Sequence, residues 1–155
     1  MSYEQLMLRA ITKAEKFKFT AKPNPVVGAI IIKKNEIISE GYHETFGENH
    51  AEVNAIQKAQ HYLGEKFQSF SELTLICTLE PCSHQGKTGS CAHTIVKTGF
   101  KNVIIGAIDP NPIVAGNGIK ILKENGVNVE VGLLQDLIEK QNKFFFYKHK
   151  NNKPY

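Results

Sequence analysis

Four side chains in this sequence have types and spacing suited to one chemistry: His50, Glu52, Cys82 and Cys91. A neutral imidazole and two thiolates are donors that Zn²⁺ favours, and a metal held by three protein groups keeps one coordination position open. Such a metal lowers the pKa of a water in that position to about 7, and a nearby carboxylate that is not a ligand can then move its protons. The pattern points to a hydrolase in which His50, Cys82 and Cys91 hold zinc and Glu52 does acid–base work.

Each residue also has a plainer explanation. Asn49 followed three residues later by Glu52 resembles a capping box, in which the glutamate only satisfies backbone donors. His50 alone reads as a surface histidine, and Cys82 and Cys91 as small buried hydrophobes. All of these together at successive loop and helix starts are harder to explain that way. A closed structural zinc site, with His84 or His93 as the fourth ligand, is a third reading. Cys77, inside the apolar run Leu75-Ile76-Cys77, reads as core.

His50 and Glu52 stand two residues apart, a spacing that on a mid-helix surface points side chains in different directions. They serve one site only at the start of a helix, so the surrounding elements matter. Leu6, Leu8, Ile11, Ala14 and Phe17 predict an amphipathic helix from Tyr3 to about Lys18, which Pro23 and Pro25 forbid from continuing. Val26 to Ile32 predicts a strand covered on both faces, with a turn at Lys34-Asn35 into a second strand, Glu36 to Tyr42. Asn49 is placed to cap a helix from His50 to about Gln60, and Leu73 to Thr78 reads as a strand. Ser90 is placed to cap a helix from Cys91 to Thr98 that ends at Gly99. Strands at Val103 to Ile108 and Asn128 to Val131 flank a helix from Gly118 to Asn125 with Gly126 at its end, and a last helix runs from Leu134 to about Tyr147. This alternation predicts a three-layer α/β domain around a mixed sheet of about five strands, begun by an antiparallel hairpin. Two helix starts facing one point would favour thiolates over thiols.

The 155 residues, 41% hydrophobic and 22% charged, suit one well-buried core. A net charge of +4, part of it from Lys148, Lys150 and Lys153, lacks the clustered basic stripe of a nucleic-acid binder. Met1 to Lys16 carries too many charges for a signal peptide, and no window approaches a membrane span. Three cysteines, two of them claimed by a metal, fit a reducing compartment; a cytoplasmic location is expected.

A signature of H-x-E followed by P-C-x-x-C describes zinc deaminases. The first half is present here, but eight residues separate Cys82 from Cys91. With that longer loop, Thr78-Leu79-Glu80-Pro81-Cys82-Ser83-His84-Gln85-Gly86-Lys87-Thr88 resembles the pyrimidine deaminase family of riboflavin biosynthesis. Pro23-Asn24-Pro25-Val26-Val27-Gly28, Asp109-Pro110-Asn111-Pro112, and Asn142 with Phe145-Phe146 extend the resemblance over nearly the whole chain. Gly89-Ser90 departs from the two prolines usual in that family.

The resemblance implies a cytidine deaminase-like fold and hydrolytic deamination of a pyrimidine ribosyl phosphate, with Zn²⁺ on His50, Cys82 and Cys91 and Glu52 as proton carrier. It also implies ring and ribose contacts by Asn24 and His43. Lys87 and Thr88, on the loop between the cysteines, can meet phosphate or ribose oxygens, and Asp109 and Asn111 follow a strand end, where ligands of α/β sheets gather. Turn chemistry beside proline is the plainer reading of Asn24, Asp109 and Asn111. A deaminase domain over 1–147 is expected, with 148–155 as a tail leading toward a reductase in bifunctional relatives. The aromatic run Phe144 to Tyr147 suggests a core lock or a subunit interface, and a homo-oligomer is expected. The rivals are a deaminase for a nucleoside, base or tRNA adenosine, against which the long cysteine loop counts, and a zinc-stapled binding module without catalysis.

Overall fold

Alternation along three central strands sorts their apolar side chains between two cores. In the computed structural model, which describes residues 1–64, 70–83 and 90–151, the elements are α1 (Tyr3–Ala14), a 3-10 turn (Glu15–Phe17), β1 (Gly28–Lys33), β2 (Glu36–Tyr42), α2 (Ala51–Leu63) and β3 (Leu73–Leu79). They continue with α3 (Cys91–Thr98), β4 (Asn102–Ala107), α4 (Asn117–Glu124), β5 (Asn128–Val131), α5 (Gln135–Gln141) and α6 (Lys143–Asn151).

The sheet order is β2-β1-β3-β4-β5; β1 is antiparallel to both neighbours, whereas β3, β4 and β5 are parallel. Ala29, Ile31, Leu75, Cys77, Val103 and Ile105 point to one face and pack with α2, α3 and α4. Ile30, Ile32, Ile76 and Ile104 point to the other and pack with α1, α5 and α6. The molecule is therefore three-layered around a mixed five-stranded sheet, as expected. Each fully buried Ile or Leu contributes about 1.5–3 kcal/mol by leaving water, so the two cores define the fold without a metal.

Several boundaries differ from expectation. The first helix stops at Ala14 and tightens into the 3-10 turn, and β1 begins at Gly28 because Val26 is paired instead with a side chain, that of Asn142. The cap of α2 is His50, not Asn49, and no side chain caps it, so the capping box is not formed. The last helix is two helices, broken at Asn142, and the second runs through Lys148 to Asn151, where a tail was expected. Phe146 is buried and locks α6 to the core, whereas Phe144 and Tyr147 are exposed.

Candidate active site

Two helix starts and one strand end converge. The start of α2 is seated by Gly41 of β2, where an added Cβ would lie 2.3 Å from the Ala51 carbonyl oxygen and from the Ala55 nitrogen. Only a residue without a side chain lets α2 sit this close to the sheet. His50, as the residue before the first turn, keeps an extended backbone (φ −70°, ψ 163°) and an uncommitted cap position, so its ring is free to face the strand ends. In α3, Ser90 accepts from the His93 N–H and so fixes Cys91 as the first helical residue.

His50 Nδ1 lies 3.3 Å from Cys91 Sγ and 3.8 Å from Cys82 Sγ. The N–H of Cys91 donates to Cys82 Sγ at 3.2 Å, placing the positive end of α3 on that sulfur. All three donor atoms lie within 4.8 Å of one another. A tetrahedral zinc with Zn–S of about 2.3 Å and Zn–N of about 2.0–2.1 Å requires N···S separations of about 3.6 Å, so the donors fit that ion in type and spacing. Among the described residues no fourth donor joins them: the His93 ring bonds Ser90 instead, and His84 lies outside the described residues. Cys77 is fully buried in the core, where burial pushes its thiol up.

The three groups are in hydrogen-bond contact with one another. The hydrogen bond from Cys91, with help from His50, holds the Cys82 thiol down to about 4 against the effect of burial. The same bond, reinforced by burial, pushes Cys91 up, and the bond to Cys82 raises His50. Two cysteine sulfurs and an imidazole packed this closely form a site whose protons a cation would displace.

Glu52, at the second position of α2, is only 4% exposed, and burial pushes its carboxyl up to about 7. It lines a cavity of about 320 Å³ together with His50 and Cys82, within the range of small-ligand sites. A carboxyl with that proton affinity, in one cavity with residues that could hold a metal, is suited to accept and return protons near neutral pH.

Asn24 and His43 form the facing wall. Asn24 Nδ2 donates to His43 Nε2 at 3.0 Å, and His43 Nδ1 donates to the Asn49 carbonyl at 3.2 Å. Burial lowers the His43 pKa, which matches this neutral tautomer, and its ring meets that of His50 edge-on at 5.4 Å. Asp109 and Asn111 also line the cavity. Their Oδ1 atoms accept from the N–H groups of Asn111 and Ile113, so they build the turn as well as facing the site. Among the described residues nothing bonds Asp109 Oδ2 or Asn111 Nδ2. Lys87 and Thr88 lie outside the described residues.

The cavity has further walls that sequence reasoning missed: Phe145 and His149 of α6, in ring contact at 4.7 Å, and Glu80 beside Cys82. Phe145 and His149 stand four apart, one face of a helix. That spacing was visible, but nothing local tells which way the face points.

A mixed α/β sheet carrying His and Cys at two helix starts and a second Cys just past a strand end, with a buried glutamate in the same cavity, defines a zinc-type hydrolytic deaminase. In agreement, residues 1–107 match the family described as the cytidine and deoxycytidylate deaminase zinc-binding region. The chain is 46% identical, over 148 residues, to the diaminohydroxyphosphoribosylamino-pyrimidine deaminase of Buchnera aphidicola subsp. Acyrthosiphon pisum, covering 96% of each chain. It is 43% identical to the protein of that name from Buchnera aphidicola subsp. Schizaphis graminum, with the same coverage. The chain belongs to this family, the deaminases of riboflavin biosynthesis. The solved Thermotoga maritima diaminohydroxyphosphoribosylaminopyrimidine deaminase/5-amino-6-(5-phosphoribosylamino)uracil reductase superposes with a TM-score of 0.88 at 42% identity, covering 99% of this chain. The chain spans 42% of that longer protein.

Proposed function

We propose that the chain deaminates the aminopyrimidine ring of diaminohydroxyphosphoribosylaminopyrimidine, releasing ammonia and the aminopyrimidinedione ribosyl phosphate. The observation that carries this reading is the buried Glu52 in the same cavity as His50 and Cys82. His50, Cys82 and Cys91 are the residues that would hold Zn²⁺, which when bound supplies the Lewis acidity that makes water nucleophilic near neutral pH.

Glu52 carries the protons. As water adds to the amino-bearing ring carbon, its carboxylate accepts one proton and delivers it to the adjacent ring nitrogen. The remaining hydroxyl proton then passes through the same carboxyl to the amine, the C–N bond breaks and ammonia leaves. Delivering that proton matters because ammonia is a far better leaving group than amide ion.

Asn24 and the neutral His43 are assigned to the ring and ribose, and Asp109 and Asn111 present Oδ2 and Nδ2 to the substrate. Lys87 and Thr88 are assigned to the phosphate or ribose oxygens. The Thermotoga maritima relative couples its deaminase to a reductase for 5-amino-6-(5-phosphoribosylamino)uracil, and a reductase of that class would consume this product.

Three free cysteines suit a reducing cytoplasm, and among the described residues no helix is long and apolar enough to cross a membrane. Exposed Phe144 and Tyr147 suit a homo-oligomer, which light scattering tests by mass. Mass spectrometry of the reaction tests the chemistry. The product should have exchanged NH for O, with one ammonia formed per turnover; unchanged substrate would refute it.

A further inference from the structure

Glu80 is a buried anion, 6% exposed, with no cation paired to it among the described residues. Its charge is met by four backbone N–H groups. Oε1 accepts from Asp109 at 3.0 Å and Gly116 at 3.1 Å; Oε2 accepts from Gly118 at 3.0 Å and Ile119 at 3.3 Å. Three of these donors open α4, where a carboxylate meets the positive end of the helix. The fourth belongs to Asp109, at the other end of the 109–116 loop.

We propose that Glu80 is a positioning residue for substrate binding: it clamps both ends of the loop that presents Asp109 and Asn111 and registers that loop against the cysteine-bearing segment. The inference rests on the substrate contacts assigned under the proposed function. Glu80 precedes Pro81-Cys82 directly, and its own N–H donates to the Ala107 carbonyl at 2.9 Å, so the clamp is anchored where β4 ends. The fit is tight on the other side as well. An added Cβ on Gly118 would lie 2.0 Å from the Pro81 carbonyl oxygen, so the start of α4 rests on the backbone next to Cys82.

Four donors need two acceptor oxygens. A glutamine offers one, and its NH₂ group would be turned toward two N–H groups that it cannot satisfy. The E80Q variant should therefore loosen the loop without touching the metal donors or Glu52.

The test is steady-state ammonia release by zinc-loaded E80Q, with bound zinc measured beside it. The expected result is one retained zinc, kcat within about threefold of wild type and KM raised about tenfold or more, two hydrogen bonds to a charged acceptor being lost. A double-mutant cycle separates this role from simple folding support: if Glu80 acts through Asn111, E80Q/N111A should show a KM little above that of N111A. Should E80Q prove too unstable to purify, E80D, which keeps both oxygens on a shorter arm, takes its place with the same KM-against-kcat criterion. Unchanged KM, loss of zinc, or independent multiplication of the two KM effects overturns the proposal. Absence of turnover by the wild-type chain removes the proposed function and this inference with it, so the two failures are distinguishable.

Discussion

The side-chain amide of Asn142 pairs with both backbone groups of Val26: Oδ1 accepts from its N–H at 2.8 Å and Nδ2 donates to its carbonyl at 3.2 Å. This mimics one rung of a sheet between positions 116 residues apart. Pro25 and Val27, either side of Val26, line the cavity, and so do Phe145 and His149 of the helix that Asn142 begins. One side chain thus fixes two walls relative to each other. Asn142→Ala should cost about 2–4 kcal/mol, because two buried backbone groups lose their partner, and should raise KM. Urea unfolding and steady-state kinetics check both; wild-type stability would remove Asn142 from this role.

Glu52→Gln should bind one zinc and lose at least about a thousandfold in kcat, since an amide cannot accept and return a proton. Its fold should survive, because a neutral amide replaces a carboxyl that is buried without an ion pair among the described residues. Metal analysis and ammonia release on the same preparation measure the two effects. Near-normal turnover would sink the assignment.

Removing zinc with a chelator should abolish activity while leaving far-ultraviolet circular dichroism essentially unchanged, because the two cores do not depend on the metal. Added Zn²⁺ should restore turnover. Cys82→Ser should bind zinc far more weakly and resist that rescue, whereas Cys77→Ser should retain zinc and show only a stability loss.

Acid stability should depend on Glu40. Its hydrogen bond to Arg9, 2.6 Å to Nε, holds its carboxyl down to about 2, with Lys13 assisting at 3.3 Å and burial opposing. A carboxylate whose folded pKa lies below its unfolded value of about 4.3 adds stability above that value and loses it as pH falls toward the folded pKa. The stability gap between wild type and Glu40→Gln should accordingly be full at pH 7 and shrink between about pH 4.3 and 2. Urea unfolding at pH 7 and pH 2.5 measures it; a gap independent of pH would contradict the assignment.

The elements that the sequence specifies locally were legible in it. The Lys34-Asn35 turn set β2 at Glu36–Tyr42, and Ser90 with Gly99 bounded α3 at Cys91–Thr98. The donor set was legible too, because metal chemistry restricts residue type more than packing does. Elements decided by distant partners were not. The polar run Glu139 to Lys143 holds no proline or glycine to mark a break, and the pairing of Asn142 with Val26 accounts for the end of one helix and the start of the next there. The Asn49-to-Glu52 pattern suits a capping box, yet α2 begins one residue later because the close seat at Gly41 fixes where its first turn lies. Glu80 looked like one more letter of a motif, since its four donors lie 29 to 39 residues away.

Ammonia release by the zinc-loaded chain, from diaminohydroxyphosphoribosylaminopyrimidine with cytidine and guanine run in parallel, tests the central claim most directly. Release from the ribosyl phosphate alone is the predicted result. Release from cytidine or guanine instead would place the chain with a different deaminase activity, and silence on all three would contradict a catalytic role for the His50, Cys82 and Cys91 site.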